Sequence, residues 1–307
     1  MNYVFCQQVK IDQLEAIKIE HPLFSAILLL QGAQLIEFTP RDSKKNLLWL
    51  SDTAEYKEGK PLRGGIPICW PWFGNIDKNP VAIQNQIINR DNNNTPSAHG
   101  FARSIPWQVT SIQESCHQVK ITLALTSNAE SKELWPFEFN LEARFIFSHK
   151  LNIELITTNT DDKKFAISQA LHTYLPTSDI NKTYIHNAHN TNYIDALDNW
   201  KEKKQIGRIG FSEETDRIYF FTTKANNNPQ YELRVESPGQ QLVLSNTHSQ
   251  SAVIWNPWIE KSKLLSQFKP EDYQSMFCIE TANVMSDHKV LIPDEKQSLI
   301  LELSQLN

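Results

Sequence analysis

The 307-residue chain has no long hydrophobic run. Its most apolar stretch, Leu23 to Leu30, is broken by Ser25 and is far shorter than the ~20 residues that span a bilayer as a helix. No membrane partner is therefore expected. Met1 to Lys10 shows no apolar run after a basic start, so no secretory signal is read there and a cytoplasmic location is expected. Cysteines are few: Cys6, Cys69, Cys116 and Cys278 lie far apart, without CxxC spacing. A chain this long needs no disulfide staple, and reduced thiols fit a cytosolic protein. Basic blocks are missing and the net charge is -5, which argues against a nucleic-acid partner. Helical periodicity is scarce; Lys269 to Phe277 reads as a short helix or an irregular loop. No linker, repeat or composition shift divides the chain, so one domain over residues 1–307 is expected. Nothing in the sequence demands an oligomer, and a monomer is the expectation.

What is present is period-two alternation. Val119, Ile121, Leu123 and Leu125 alternate with polar or small residues. So do Phe139, Leu141, Ala143, Phe145 and Phe147, then Leu151, Ile153 and Leu155, and near the C-terminus Leu299, Leu301 and Leu303. This is the pattern of antiparallel strands with one face on a core. Turn signals separate the strands: Pro238-Gly239, Asn226-Asn227-Asn228-Pro229 and Asp161-Asp162-Lys163-Lys164. The polar run Asn89 to Pro96 reads as an exposed loop. An all-β fold, a large antiparallel β-sandwich, is predicted.

Five segments break the alternation. Leu62 to Gly74 combines Arg63, the pair Gly64-Gly65, Pro67, Pro71 and the aromatics Trp70, Trp72 and Phe73. Glycines permit backbone that a Cβ resists, prolines stiffen the chain, and a guanidinium suits a carboxylate or phosphate. The segment reads equally as a rigid pocket, with an aromatic against a sugar ring, or as a tight turn whose aromatics plug a sheet. His99-Gly100-Phe101-Ala102-Arg103 places an imidazole and a cation four apart, as site residues or as an edge residue and a surface cation. His172 falls within a strand, where a lone histidine is more often structural. Asp216 precedes a strand, as a hydroxyl acceptor or a turn residue. Glu280 follows Phe277, Cys278 and Ile279, so partial burial would raise its pKa and suit it as a base; a solvated strand glutamate is the alternative. A metal set of His99, His172 and Glu280 lacks HxH or HExxH spacing, and no metal is expected. No GxSxG segment supports serine hydrolase chemistry.

Taken in order, these segments resemble the glucose-6-phosphate 1-epimerase (hexose-6-phosphate mutarotase) family, within the aldose 1-epimerase superfamily. The resemblance rests on Arg63-Gly64-Gly65-Ile66-Pro67 with Trp70-Pro71-Trp72-Phe73-Gly74, on His99-Gly100-Phe101-Ala102-Arg103, and on Leu171-His172-Thr173-Tyr174. Tyr193-Ile194-Asp195, Glu214-Thr215-Asp216, and Trp255-Asn256-Pro257-Trp258 followed by Ile279-Glu280 complete it. It runs from about residue 20 to the end. It implies a galactose-mutarotase type β-sandwich, interconversion of sugar anomers, a sugar-phosphate substrate and no cofactor. By resemblance Glu280 is the general base and His172 the general acid. Arg63, Arg103 and Asp216 contact the sugar phosphate, and His99 helps hold the sugar. Many relatives carry a polar residue, often glutamine, where this chain has Ala98, which removes one sugar contact. Tyr193-Ile194-Asp195 reads as structural. Two other classes stay in view. One is a sugar-phosphate-binding module without turnover. The other is a glycoside hydrolase, which would need two carboxylates, with Asp216 and Glu280 the obvious pair.

Overall fold

A computed structural model of the protein describes residues 4–88, 96–221 and 229–306. The alternating segments are strands of one nine-stranded antiparallel sheet. Its order is Ile209–Gly210, Tyr184–His186, Gln230–Ser237, Gln240–Thr247, Lys296–Gln305, Leu151–Asn159, Phe139–Phe147, Val119–Thr126 and Gln108–Glu114. Along Phe139–Phe147 the odd positions are buried and the even ones open toward solvent, as side chains alternate across a strand. Pro238-Gly239 makes the tight turn between Ser237 and Gln240, and residues 161–164 form the bend after Asn159. The loop read at Asn89 to Pro96 and the turn at Asn226 to Asn228 lie outside the described residues, save Pro96. The stretch Lys269 to Phe277 is mostly irregular, with one 3-10 turn at Asp272–Gln274, before a strand that begins at Met276.

A second, seven-stranded antiparallel sheet carries the chemistry. Its strands are β1 (Ile68–Cys69), β2 (Gln169–Pro176), β3 (Asn192–Asp195), β4 (Lys201–Lys204), β5 (Thr215–Phe220), β6 (Ser251–Asn256) and β7 (Met276–Asn283), arranged 4-3-5-6-7-2-1. One face packs Leu171, Leu175, Tyr219, Ala252, Ile254, Phe277 and Ile279 into the core shared with the nine-stranded sheet. The β-sandwich expected from the alternation is therefore present. A four-stranded sheet (Cys6–Ile11, Leu14–His21, Phe24–Leu29, Leu35–Pro40) joins it through Phe24 and Phe38, whose ring centroids lie 6.0 and 6.1 Å from that of Phe147.

Because successive side chains point to opposite faces, the core residues fix the remaining ones. With Leu171 and Leu175 inward on β2, His172 and Tyr174 face the other way. With Phe277 and Ile279 inward on β7, Cys278 and Glu280 do so too. Ala252 and Ile254 on β6 send Val253 and Trp255 outward. Tyr219 on β5 does the same for Asp216 and Ile218. This outer face is covered by loops, so β2, β6 and β7 are buried on both sides.

Two tryptophans of the Leu62 to Gly74 segment go to the core. Trp70 and Trp72 are fully buried, and the Trp70 ring lies 4.5 Å from Phe139 and 5.1 Å from Trp135, with its N–H donated to Thr157 at 3.0 Å. They plug the sheet and leave only Phe73 of that trio beside a cavity on the outer face. The expectation for Asp216 also needs correction: it is the second residue of β5, placed by the strand itself rather than by a preceding turn.

Candidate active site

His172 and Glu280 are direct cross-strand partners on β2 and β7. Residues 108 apart in the chain are thereby brought to 3.4 Å between His172 Nε2 and Glu280 Oε1. They form the floor of a cavity of about 350 Å³, also lined by Phe73, His99, Tyr174, Trp200, Asp216 and Trp255. The volume falls in the range of small-molecule sites, and the mixture of aromatic walls and few polar groups is typical of them. A second recess of about 610 Å³ adjoins it and shares Arg63, Ala98, His99, His172 and Tyr174; Arg103 and Lys60 line it as well.

Local backbone explains how the cations arrive there. The Arg63 loop runs beside β2: the Tyr174 N–H donates to the Gly65 carbonyl at 2.9 Å and the His172 N–H to the Pro67 carbonyl at 3.0 Å. Its other edge is held by Gly65 N–H to Trp49 O at 2.7 Å and Ile66 N–H to Leu35 O at 2.8 Å. A Cβ on Gly65, whose φ is +64, would stand 2.2 Å from the Leu35 carbonyl oxygen, so glycine is obligatory at this pinch. Arg63 Nη1 reaches the Tyr174 hydroxyl at 3.5 Å, and the Tyr174 ring stacks on His172 at 4.7 Å and 8°.

The second loop carries His99 and Arg103. The His99 N–H donates to Gly74 O at 2.9 Å, and the Gly74 N–H donates to His99 Nδ1 at 3.3 Å. Since Nδ1 accepts, the neutral ring carries its proton on Nε2 and is a donor. Arg103 Nη2 donates to the Ala98 carbonyl at 2.7 Å. The departure at Ala98 therefore removes a side chain but keeps the backbone group that steadies the guanidinium.

Charge follows from burial. Glu280 is 2% exposed, and its pKa is pushed well above the usual carboxylate value by burial and by the Asp216 charge, with Arg103 opposing. Burial, then Arg103 and Arg63, hold His172 down at about 3. The same causes, with His172 added, hold His99 well below its ordinary value. Asp216 is raised, mainly by burial. Burial thus favours the neutral imidazole in both histidines and the protonated carboxyl in Glu280. Glu280 Oε2 and His172 Nδ1 are buried without a hydrogen-bond partner among the described residues. Such orphans cost about 1–3 kcal/mol each, a cost that functional sites tolerate and cores avoid.

The remaining candidate residues fall into place. Asp195 pairs with Lys203 at 2.8 Å and with Arg217 at 3.9 Å, and none of the three lines the cavity. Among the described residues no group of three or more His, Cys, Asp or Glu side chains converges as a metal site. Tyr174 and Trp255 belong to the sequence motifs, yet sequence reasoning assigns them no role. The signal for Tyr174 is its i+2 relation to His172; Trp255 needs the β6–β7 pairing, which sets it against Cys278.

Comparison with known proteins agrees with this architecture. The family profile described as aldose 1-epimerase matches residues 15–304. A protein of Escherichia coli (strain K12) named "Putative glucose-6-phosphate 1-epimerase" is 32% identical over 284 residues, covering 92% of this chain and 87% of the relative. A plant protein of the same name, from Cenchrus ciliaris, is 28% identical over 275 residues, 84% of this chain and 75% of its own. The crystal structure of a "putative mutarotase" from Salmonella typhimurium superposes with a TM-score of 0.86 at 27% identity, covering 100% of this chain and 95% of that one. With a match over nearly its whole length, and the sheet that the match implies, the chain belongs to the aldose 1-epimerase family.

Proposed function

We propose that the protein interconverts the α and β anomers of a hexose 6-phosphate, with glucose 6-phosphate the first choice, and that Glu280 and His172 carry the proton transfers. The observation behind this is the 3.4 Å pairing of an imidazole and a carboxyl beside two arginines. Ring opening needs a proton removed from the C1 hydroxyl and one delivered to the ring oxygen. Both oxygens are bonded to C1, so two groups a few ångströms apart serve both. In the productive state Glu280 takes the hydroxyl proton as the ring C1–O bond breaks, and His172 gives its proton to the ring oxygen. The C1–C2 bond rotates, and closure reverses both transfers, restoring each group. One proton held by the pair is all the chemistry consumes or returns.

The other residues bind. Arg63 and Arg103 receive the phosphate with charge-assisted hydrogen bonds. His99 donates to a ring hydroxyl or oxygen, Asp216 accepts from hydroxyls, and Trp255 with Phe73 offers apolar faces. Arg103→Ala is expected to raise KM for glucose 6-phosphate about tenfold to a hundredfold, from the ~1.5–3 kcal/mol of a hydrogen bond to a charged group, and to affect free glucose less. NMR exchange between anomers with each sugar tests this. Equal losses for the two sugars would remove the phosphate from the assignment.

Asp216 has a second, electrostatic effect. Its charge raises the Glu280 pKa, so Asp216→Asn is expected to lower it. The limb of the kcat/KM–pH profile that reports Glu280 in the free enzyme then moves to lower pH. A profile that stays in place would show that the two carboxyls are uncoupled.

A further inference from the structure

Arg63 and Arg103 line the recess that adjoins the cavity of the acid–base pair, and His172 lines both. Arg63 touches Tyr174, Tyr174 stacks on His172, and Arg103 lines the same recess as His172. We propose that a dianion seated between Arg63 and Arg103 moves the catalytic proton from Glu280 to His172, so that the phosphate of the substrate activates turnover as well as binding. The inference rests on the anomer exchange proposed for this site.

The step is a proton transfer along an existing contact. The Glu280 O–H bond breaks and an N–H bond forms on His172 Nε2 across 3.4 Å, with no other reactant. The groups that set its direction are asymmetrically placed. Facing the imidazole are the two guanidinium groups, the neutral rings of His99 and Tyr174, and Glu280 itself. Facing the carboxyl are Asp216, the buried thiol of Cys278 and, more weakly, Arg103. Arg63, Arg103 and His172 line the adjoining recess together, and Glu280 does not. Neutralising the two cations therefore relieves the imidazole more than it disturbs the carboxyl. Without a dianion the surroundings favour carboxylic acid and imidazole. With one the balance moves toward carboxylate and imidazolium, the base and acid that ring opening uses.

The test separates phosphate from sugar. Anomer exchange of free glucose is followed by NMR with and without phosphite dianion, after subtracting the enzyme-free rate in the same solution. The expected result is an acceleration of about tenfold, the change in population produced by one pKa unit, and its disappearance in Arg63→Ala and Arg103→Ala. In parallel, enzyme with ¹⁵N-labelled histidines is titrated with phosphite alone. The His172 signal, assigned by its loss in His172→Asn, is expected to move toward imidazolium in the wild type and not in the arginine variants. An unmoved His172 signal, or phosphite that only inhibits, overturns the inference while rapid exchange of glucose 6-phosphate leaves the function intact. Failure to accelerate glucose 6-phosphate exchange overturns the function itself.

Discussion

Glu280→Gln is expected to slow anomer exchange of glucose 6-phosphate by roughly 10²–10⁴-fold, the contribution typical of a positioned acid–base group. The substitution is nearly isosteric. Burial favours the neutral carboxyl at Glu280, so an amide of the same shape suits a position that is 2% exposed. The fold should be retained, as should the arginines that receive the phosphate. The loss therefore falls on kcat, with KM little changed, which marks an interaction made in the transition state rather than in binding. NMR exchange spectroscopy on the two anomers reads kcat directly, and near-ultraviolet circular dichroism confirms the fold. Wild-type rates in the variant would leave the carboxyl without a role. A wild-type enzyme that binds the sugar phosphate without accelerating exchange would instead be a binding module.

What the sequence discloses depends on which face of each strand meets water. The four alternating segments at 119–125, 139–147, 151–155 and 299–303 all belong to the nine-stranded sheet, where polar residues mark the outer face. The strands that carry the chemistry, β2, β6 and β7, are buried on both faces, and their period is hidden. Asp216 reads from the sequence as lying ahead of its strand because β5 opens on the polar run Thr215-Asp216-Arg217, and His172 on the doubly buried β2 has no visible counterpart. The site residues are legible as motifs, above all the Arg63-Gly64-Gly65 and His99 to Arg103 blocks. Their meeting is not, because it depends on the β2–β7 register that sets His172 opposite Glu280. A shift of one residue in that register would turn one of the two away from the cavity. Trp70 and Trp72 mislead for a related reason: in sequence, an aromatic that plugs a sheet and one that faces a sugar look alike.

The glycine between His99 and Phe101 shows how closely the site depends on that plug. Gly100 has φ +69, and a Cβ there would lie 2.0 Å from the Trp70 carbonyl oxygen and 2.4 Å from its carbon. These are backbone atoms of a residue whose ring is locked among Phe139, Trp135 and Thr157, so no flexible end can yield. Gly100→Ala is expected to destabilise the protein by roughly 2–5 kcal/mol, adding the left-handed backbone cost of a non-glycine residue to that of overpacking. The strain must be relieved by displacing the loop, because Phe101 N–H and Ala102 N–H both bond to the same Trp70 carbonyl, at 3.1 and 3.3 Å. His99 and Arg103, on either side of Gly100, would move with it, so KM for the sugar phosphate should rise along with the loss of stability. Urea unfolding reads the first effect as a lower midpoint at unchanged slope, and anomer exchange at low temperature, where the variant stays folded, reads the second. Gly74→Ala is the control: φ there is +61, but nothing lies within 4 Å of the added methyl, so only the backbone cost of about 1–2 kcal/mol applies. Equal losses in the two variants would show that the contact with Trp70 does not hold the His99–Arg103 loop in place.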